Sequence, residues 1–150
     1  MAFVFKLHQL LNIALHEEEE AKNRLAQKDG QIAELTQKIQ KFADDQEKAL
    51  IEQRDALLSG DMASVQMYPP YLALLKKQQT FYEDEKDRQL KQREKIMQEL
   101  LQKQRKRKTF EKMQDADRAK YNKEQQKKQQ KILDEFGSRK RNTLMEDNDA

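Results

Sequence analysis

Leu57-Leu58-Ser59-Gly60-Asp61-Met62-Ala63-Ser64-Val65-Gln66-Met67-Tyr68-Pro69-Pro70-Tyr71 is the one stretch that interrupts an otherwise helix-forming chain. Gly60 loses more backbone freedom in a helix than any other residue type, and Pro69 and Pro70 lack the amide hydrogen that a helix interior needs. A proline also pushes its predecessor towards extended backbone. On these grounds helix 1 is expected over about 3–58 and a turn over about 59–70. Helix 2 should then run over about 71–136, with Pro70 at its first turn and Gly137 as its stop. A frayed polar tail would cover 137–150, and the whole chain would form a single coiled-coil domain. The fold class this predicts is all-α, an antiparallel two-helix coiled-coil hairpin.

Composition agrees. Half of the 150 residues are Ala, Glu, Lys, Leu or Arg, and charged residues (38%) outnumber hydrophobic ones (36%). That is the profile of a long helix or coiled coil, and 3 Gly with 2 Pro leave little for loops. β-branched residues are too scarce, and alternation too rare, for a sheet. With no cysteine there is no disulfide framework and no thiolate chemistry. No run approaches the roughly 18 apolar residues a bilayer span requires. Met1 to Leu15 is apolar but lacks the basic lead and small-residue cleavage site of a secretory leader.

From Leu7 a heptad follows in alternating steps of four and three. Its seam is Leu7, Leu11, Ala14, Glu18, Ala21, Leu25, Lys28, Ile32, Leu35, Ile39, Phe42, Gln46, Ala49, Gln53 and Ala56. Most of these are apolar over seven heptads, the signature of a supercoiled partner helix. Glu18–Lys22 and Glu20–Arg24 are favourably ordered i,i+4 pairs. The second helix offers a sparser set: Leu72, Leu75, Tyr82, Leu90, Met97, Leu100 and Leu101. Residues 1–56 carry 8 basic and 11 acidic side chains, and residues 76–131 carry 19 and 10. An acidic arm thus lies opposite a basic one, a screened and secondary source of attraction.

Signs of catalysis are missing. The three glycines are too dispersed for a phosphate loop, and His8 and His16 are the only histidines. His16 and Glu20 share a helical face, but such a pair in so charged a setting reads as solvated surface rather than a metal site. The chain is read as a non-enzyme with no cofactor and no metal. The run Lys103-Gln104-Arg105-Lys106-Arg107-Lys108 could contact phosphates, yet it lacks interleaved aromatics, so no nucleic-acid partner is expected. A solvated helix face is its plainer reading, and a strip for an acidic protein the next.

Three marks, in this order, resemble the flagellar export protein FliJ family. They are Phe3-Val4-Phe5-Lys6-Leu7 followed by Leu10-Leu11; the break at Gly60 with Tyr68-Pro69-Pro70-Tyr71-Leu72 and then Leu75; and the closing Gln129-Gln130-Lys131-Ile132-Leu133-Asp134-Glu135. The resemblance implies a stalk similar to the central shaft of rotary ATPases. It would couple a FliI-like export ATPase ring to an FlhA-like membrane export gate, with export chaperones as further partners. It also implies a cytoplasmic location, peripheral at the inner membrane, and a role in flagellum assembly and motility. On that reading the ATPase ring meets Phe3, Phe5, Leu7, Leu10, Leu11, Asp134, Glu135 and Phe136. The gate meets Phe42, Tyr71, Leu75 and Tyr82. Ordinary seam packing competes for each of these, and is the stronger reading for Leu7, Phe42 and Leu75. The alternatives are the stalk of a virulence type III secretion system and a structural coiled-coil tether.

Overall fold

A computed structural model of the chain describes residues 2–148. It has two long helices packed against each other, α1 (His8–Ser59, 52 residues) and α2 (Met62–Asn148, 87 residues). There is no strand among the described residues, so the fold is an all-α helical hairpin. Two compact units make it up. Unit 1 joins the N-terminal segment up to His16 with the part of α2 from Gln104 onward, and unit 2 spans Glu17–Lys103.

Unit 2 contains the reversal, which is far tighter than the expected turn over 59–70. Only Gly60 and Asp61 lie between the helices. Gly60 adopts φ 80°, the one positive φ among the described residues, a conformation for which a side chain would be strained. Its amide donates to the Leu57 carbonyl (3.2 Å), and the Asp61 amide donates to that of Ala56 (3.0 Å). These two bonds form a Schellman motif and satisfy carbonyls that α1 leaves open. Asp61 then caps α2. Its carboxylate accepts the Ser64 amide (3.3 Å) and hydroxyl (2.6 Å), and its carbonyl accepts the Val65 amide (3.2 Å). Those Ser64 bonds hold the Asp61 carboxyl below its ordinary pKa.

Because the reversal is complete by Asp61, α2 starts at Met62, nine residues before its expected start at 71, and the prolines fall inside it. Both are exposed. The inward seam Val65, Tyr68, Leu72 and Leu75 flanks the pair on both sides, so packing holds the helix despite the two amide hydrogens it lacks. The expected stop at Gly137 also gives way: α2 continues to Asn148. A glycine in a helix interior costs about 1 kcal/mol against alanine, too little to end a helix without a left-handed cap. Residues 149 and 150 of the expected tail lie outside the described residues.

In unit 2 the two arms run antiparallel. Cross-helix contacts link Glu52 with Tyr68 (3.4 Å), Gln46 with Gln79, Asp29 with Arg93, Arg24 with Glu99 (3.2 Å) and Glu17 with Lys103 (3.0 Å). The twelve predicted seam positions that fall in this unit, Glu18 to Ala56, are buried or half-buried, as are Leu7, Leu11 and Ala14 in unit 1. Ala21, at 0% exposure, and Ala49 mark close approach. The α2 seam is Val65, Tyr68, Leu72, Leu75, Gln79, Tyr82, Lys86, Gln89, Arg93, Ile96, Leu100 and Lys103, every one sheltered at strict four–three spacing. Leu90 and Leu101, expected in that seam, are exposed. Long polar side chains take these places by burying their stems and leaving their heads free to bond.

In unit 1, Phe5, Leu11 and Ala14 are buried. The Phe3 ring meets Tyr121 (5.6 Å between centroids), and the Arg118 guanidinium lies over it at 5.5 Å. Every side chain from Gln126 to Met145 is exposed, so this last stretch of α2 has no helix covering it among the described residues.

Candidate functional site

The surfaces left for partners are those the hairpin does not consume. In unit 1 the eight residues expected at the ATPase divide. Phe5 (4% exposed) and Leu11 are buried, and Phe3 and Leu7 are half-buried, so these four hold the N-terminal segment in place. Leu10, Asp134, Glu135 and Phe136 are exposed, Phe136 at 72%. The two sets are not brought together. Phe3 lies level with Tyr121, while Asp134 begins thirteen residues further along α2, about 20 Å at the helical rise. Phe136 instead joins Ile132 and Leu133 on the uncovered stretch of α2. A groove of about 770 Å³ with mixed polar and apolar walls runs beside Phe3, lined among others by Val4, Lys6, Asp117, Tyr121 and Glu124.

In unit 2 the four residues expected at the gate divide similarly. Leu75 is 5% exposed and packs inward. Phe42 stacks on Tyr82 across the helices at 5.5 Å and 17°, and the Lys38 ammonium sits 5.4 Å from the Tyr82 ring. Tyr71 is exposed. It belongs to an outer stripe that the sequence reading missed: Met67, Tyr71, Leu74 and Phe81, the last 60% exposed. These follow the same four–three spacing, with Gln78 in the vacant position. The signal was in the sequence, but placing the helix start at residue 71 cut Met67 from the pattern. A groove of about 360 Å³ opens beside the stripe, lined by Phe42, Leu74, Lys77, Gln78, Phe81 and Tyr82. Near the turn, desolvation and then the Glu52 carboxylate raise the Tyr68 hydroxyl above its ordinary pKa.

The basic run 103–108 is partly neutralised. Lys103 pairs with Glu17 within unit 2, and Arg107 forms a two-pronged contact with Glu111 (3.0 Å to each oxygen) within unit 1. Among the described residues no three His, Asp or Glu side chains gather as a metal site, and no helix is long and apolar enough to cross a membrane. Such surfaces can dock other proteins.

A family model described as flagellar FliJ protein matches residues 3–143 of the chain. No curated protein and no solved structure matches it.

Proposed function

The chain belongs to the flagellar FliJ family and is thereby a component of the flagellar protein export apparatus; from that premise we propose that it acts as a non-enzymatic stalk. It couples a FliI-like export ATPase to an FlhA-like export gate on the cytoplasmic side of the inner membrane. One observation carries the reading. Each unit retains large apolar side chains that its own packing leaves in water. In unit 1 these are Ile132, Leu133 and Phe136, and in unit 2 they are Met67, Tyr71, Leu74 and Phe81. Monomeric proteins rarely expose contiguous apolar stripes unless a partner covers them. Two separate stripes suit a protein that touches two partners.

The ATPase contact is assigned to unit 1, with Asp134, Glu135 and Phe136 on the uncovered stretch of α2 and Leu10 near the start of α1 as the exposed contacts, while Phe3, Phe5, Leu7 and Leu11 hold the N-terminal segment in place. The gate contact is assigned to the outer stripe of unit 2 through Tyr71, with Phe42 and Tyr82 flooring the groove and Leu75 supporting them. Export chaperones are further candidates for either surface.

Pull-downs with the export ATPase and the cytoplasmic part of the gate protein test this, alongside swimming of a deletion strain carrying each variant. Leu133→Ser with Phe136→Ser should abolish ATPase capture and spare gate capture. Leu74→Ser with Phe81→Ser should do the reverse, and both should impair swimming with helicity retained. Removal of residues 1–12 should weaken ATPase capture. Unchanged capture of both partners by both pairs of variants would overturn the assignment.

A further inference from the structure

The seam of unit 2 holds polar side chains where hydrocarbon would bury more area. Lys28 stands at a seam position, half-buried, and its ammonium donates to the side-chain oxygens of Gln89 and Gln92, each at 2.7 Å. The same level of α2 offers a second cation, Arg93, bonded to Asp29. Nearer the turn, Gln46 donates its side-chain amide to Gln79. Swapping such groups for well-packed leucine is often neutral or stabilising, so gain in stability does not explain them. Their bonds are sensitive to alignment in a way that apolar contacts are not.

A slip of α2 by one heptad, about 10 Å, would have to recast the two-residue link by melting the helix ends beside it, but it keeps the four–three pattern in phase. It would change the polar layers completely. Gln46 would meet Leu72 or Lys86 in place of Gln79, and Arg24 would meet Gln92 or Lys106 in place of Glu99. Glu17 would lose Lys103 for Ile96 or Phe110. A buried amide without a partner costs its desolvation, and two facing cations repel. Parallel pairing of α1 with another α1 would set Lys28 against Lys28.

We infer that the Lys28–Gln89–Gln92 and Gln46–Gln79 layers are register locks: they select one antiparallel alignment of α1 and α2 over heptad-slipped ones. The apolar seam positions alone would leave some freedom, because a one-heptad slip preserves their spacing. The polar layers remove that freedom.

The absence of native cysteines makes the test direct. Glu17→Cys with Lys103→Cys reports the observed alignment, and Glu17→Cys with Ile96→Cys reports a slip, both read by a short bismaleimide. In the parent chain only the first pair should cross-link. Adding Lys28→Leu, Gln46→Leu, Gln79→Leu and Gln89→Leu should raise the slipped product about tenfold, the release of one unsatisfied polar group's penalty. Thermal stability should hold or rise. Gln46→Leu with Gln79→Leu alone should give a smaller rise in slipped product and serves if the fourfold variant aggregates. Cross-linking confined to the first pair in every leucine variant would overturn the inference.

Discussion

The same chemical change at two glycines should move stability in opposite directions. A Cβ built at Gly30 or at Gly60 meets nothing within 4 Å, so neither substitution creates a clash. What differs is the backbone. Gly30 is helical, and alanine there should stabilise by about 1 kcal/mol. Gly60 holds φ 80°, where a side chain costs about 1–2 kcal/mol. Part of that is returned because alanine restricts the unfolded chain, by about 0.4–1 kcal/mol. Gly60→Ala should therefore destabilise by about 1 kcal/mol, and the variants should lie about 2 kcal/mol apart. For a chain of this length each change corresponds to about 2–4 °C in Tm. Thermal and urea unfolding followed by helical circular dichroism measure it. If Gly60→Ala matches or exceeds the parent, the left-handed cap is not what closes the turn, and the account of the reversal fails.

Three further outcomes follow from the same geometry. Pro69→Ala should stabilise by about 2 kcal/mol, an interior proline's penalty less its effect on the unfolded chain, whereas a loss of Tm would restore the prolines to the turn. Ala21→Leu should destabilise by about 1–3 kcal/mol in urea melts, because a fully buried seam alanine leaves no room for added carbon. Asp61→Ala should lower Tm at neutral pH. The folded Asp61 carboxyl sits below its ordinary value of 3.8, so its cap contributes above that pH and is lost as pH falls through the folded value. The gap in Tm between parent and variant should accordingly close in acid.

Much of this was legible in the residues, and unevenly so. Helix 1 was readable position by position, because its seam residues are mostly Leu, Ile and Ala and apolar spacing reports packing directly. Helix 2 was not. Its seam uses Gln79, Lys86, Gln89, Arg93 and Lys103, whose stems pack while their heads bond. A search for apolar letters therefore settled on Leu90 and Leu101, which point to water. The turn was misplaced because Pro69 and Pro70 carry a stronger local signal than Gly60-Asp61. That signal is statistical, while the capping bonds of Leu57, Ala56 and Ser64 depend on the particular backbone that Gly60 and Asp61 adopt. The interaction surfaces were half readable. Hydrophobicity picked out Phe136 and Tyr71, but only burial could separate them from Phe5, Leu11 and Leu75, which share the same letters and serve the interior.

The two-residue link between α1 and α2 also bears on how fast unit 2 forms. Closing so short a loop costs little chain entropy, and the first cross-helix partners, Glu52 and Tyr68, are only 16 residues apart in sequence. Later rungs bridge 33, 64 and finally 86 residues, yet each adds to a ladder already begun. Assembly would then run like a zipper from Gly60 outward, with a low effective contact order despite the distant sequence partners. Substitutions beside the link should slow refolding, while those near Glu17 and Lys103 should chiefly hasten unfolding.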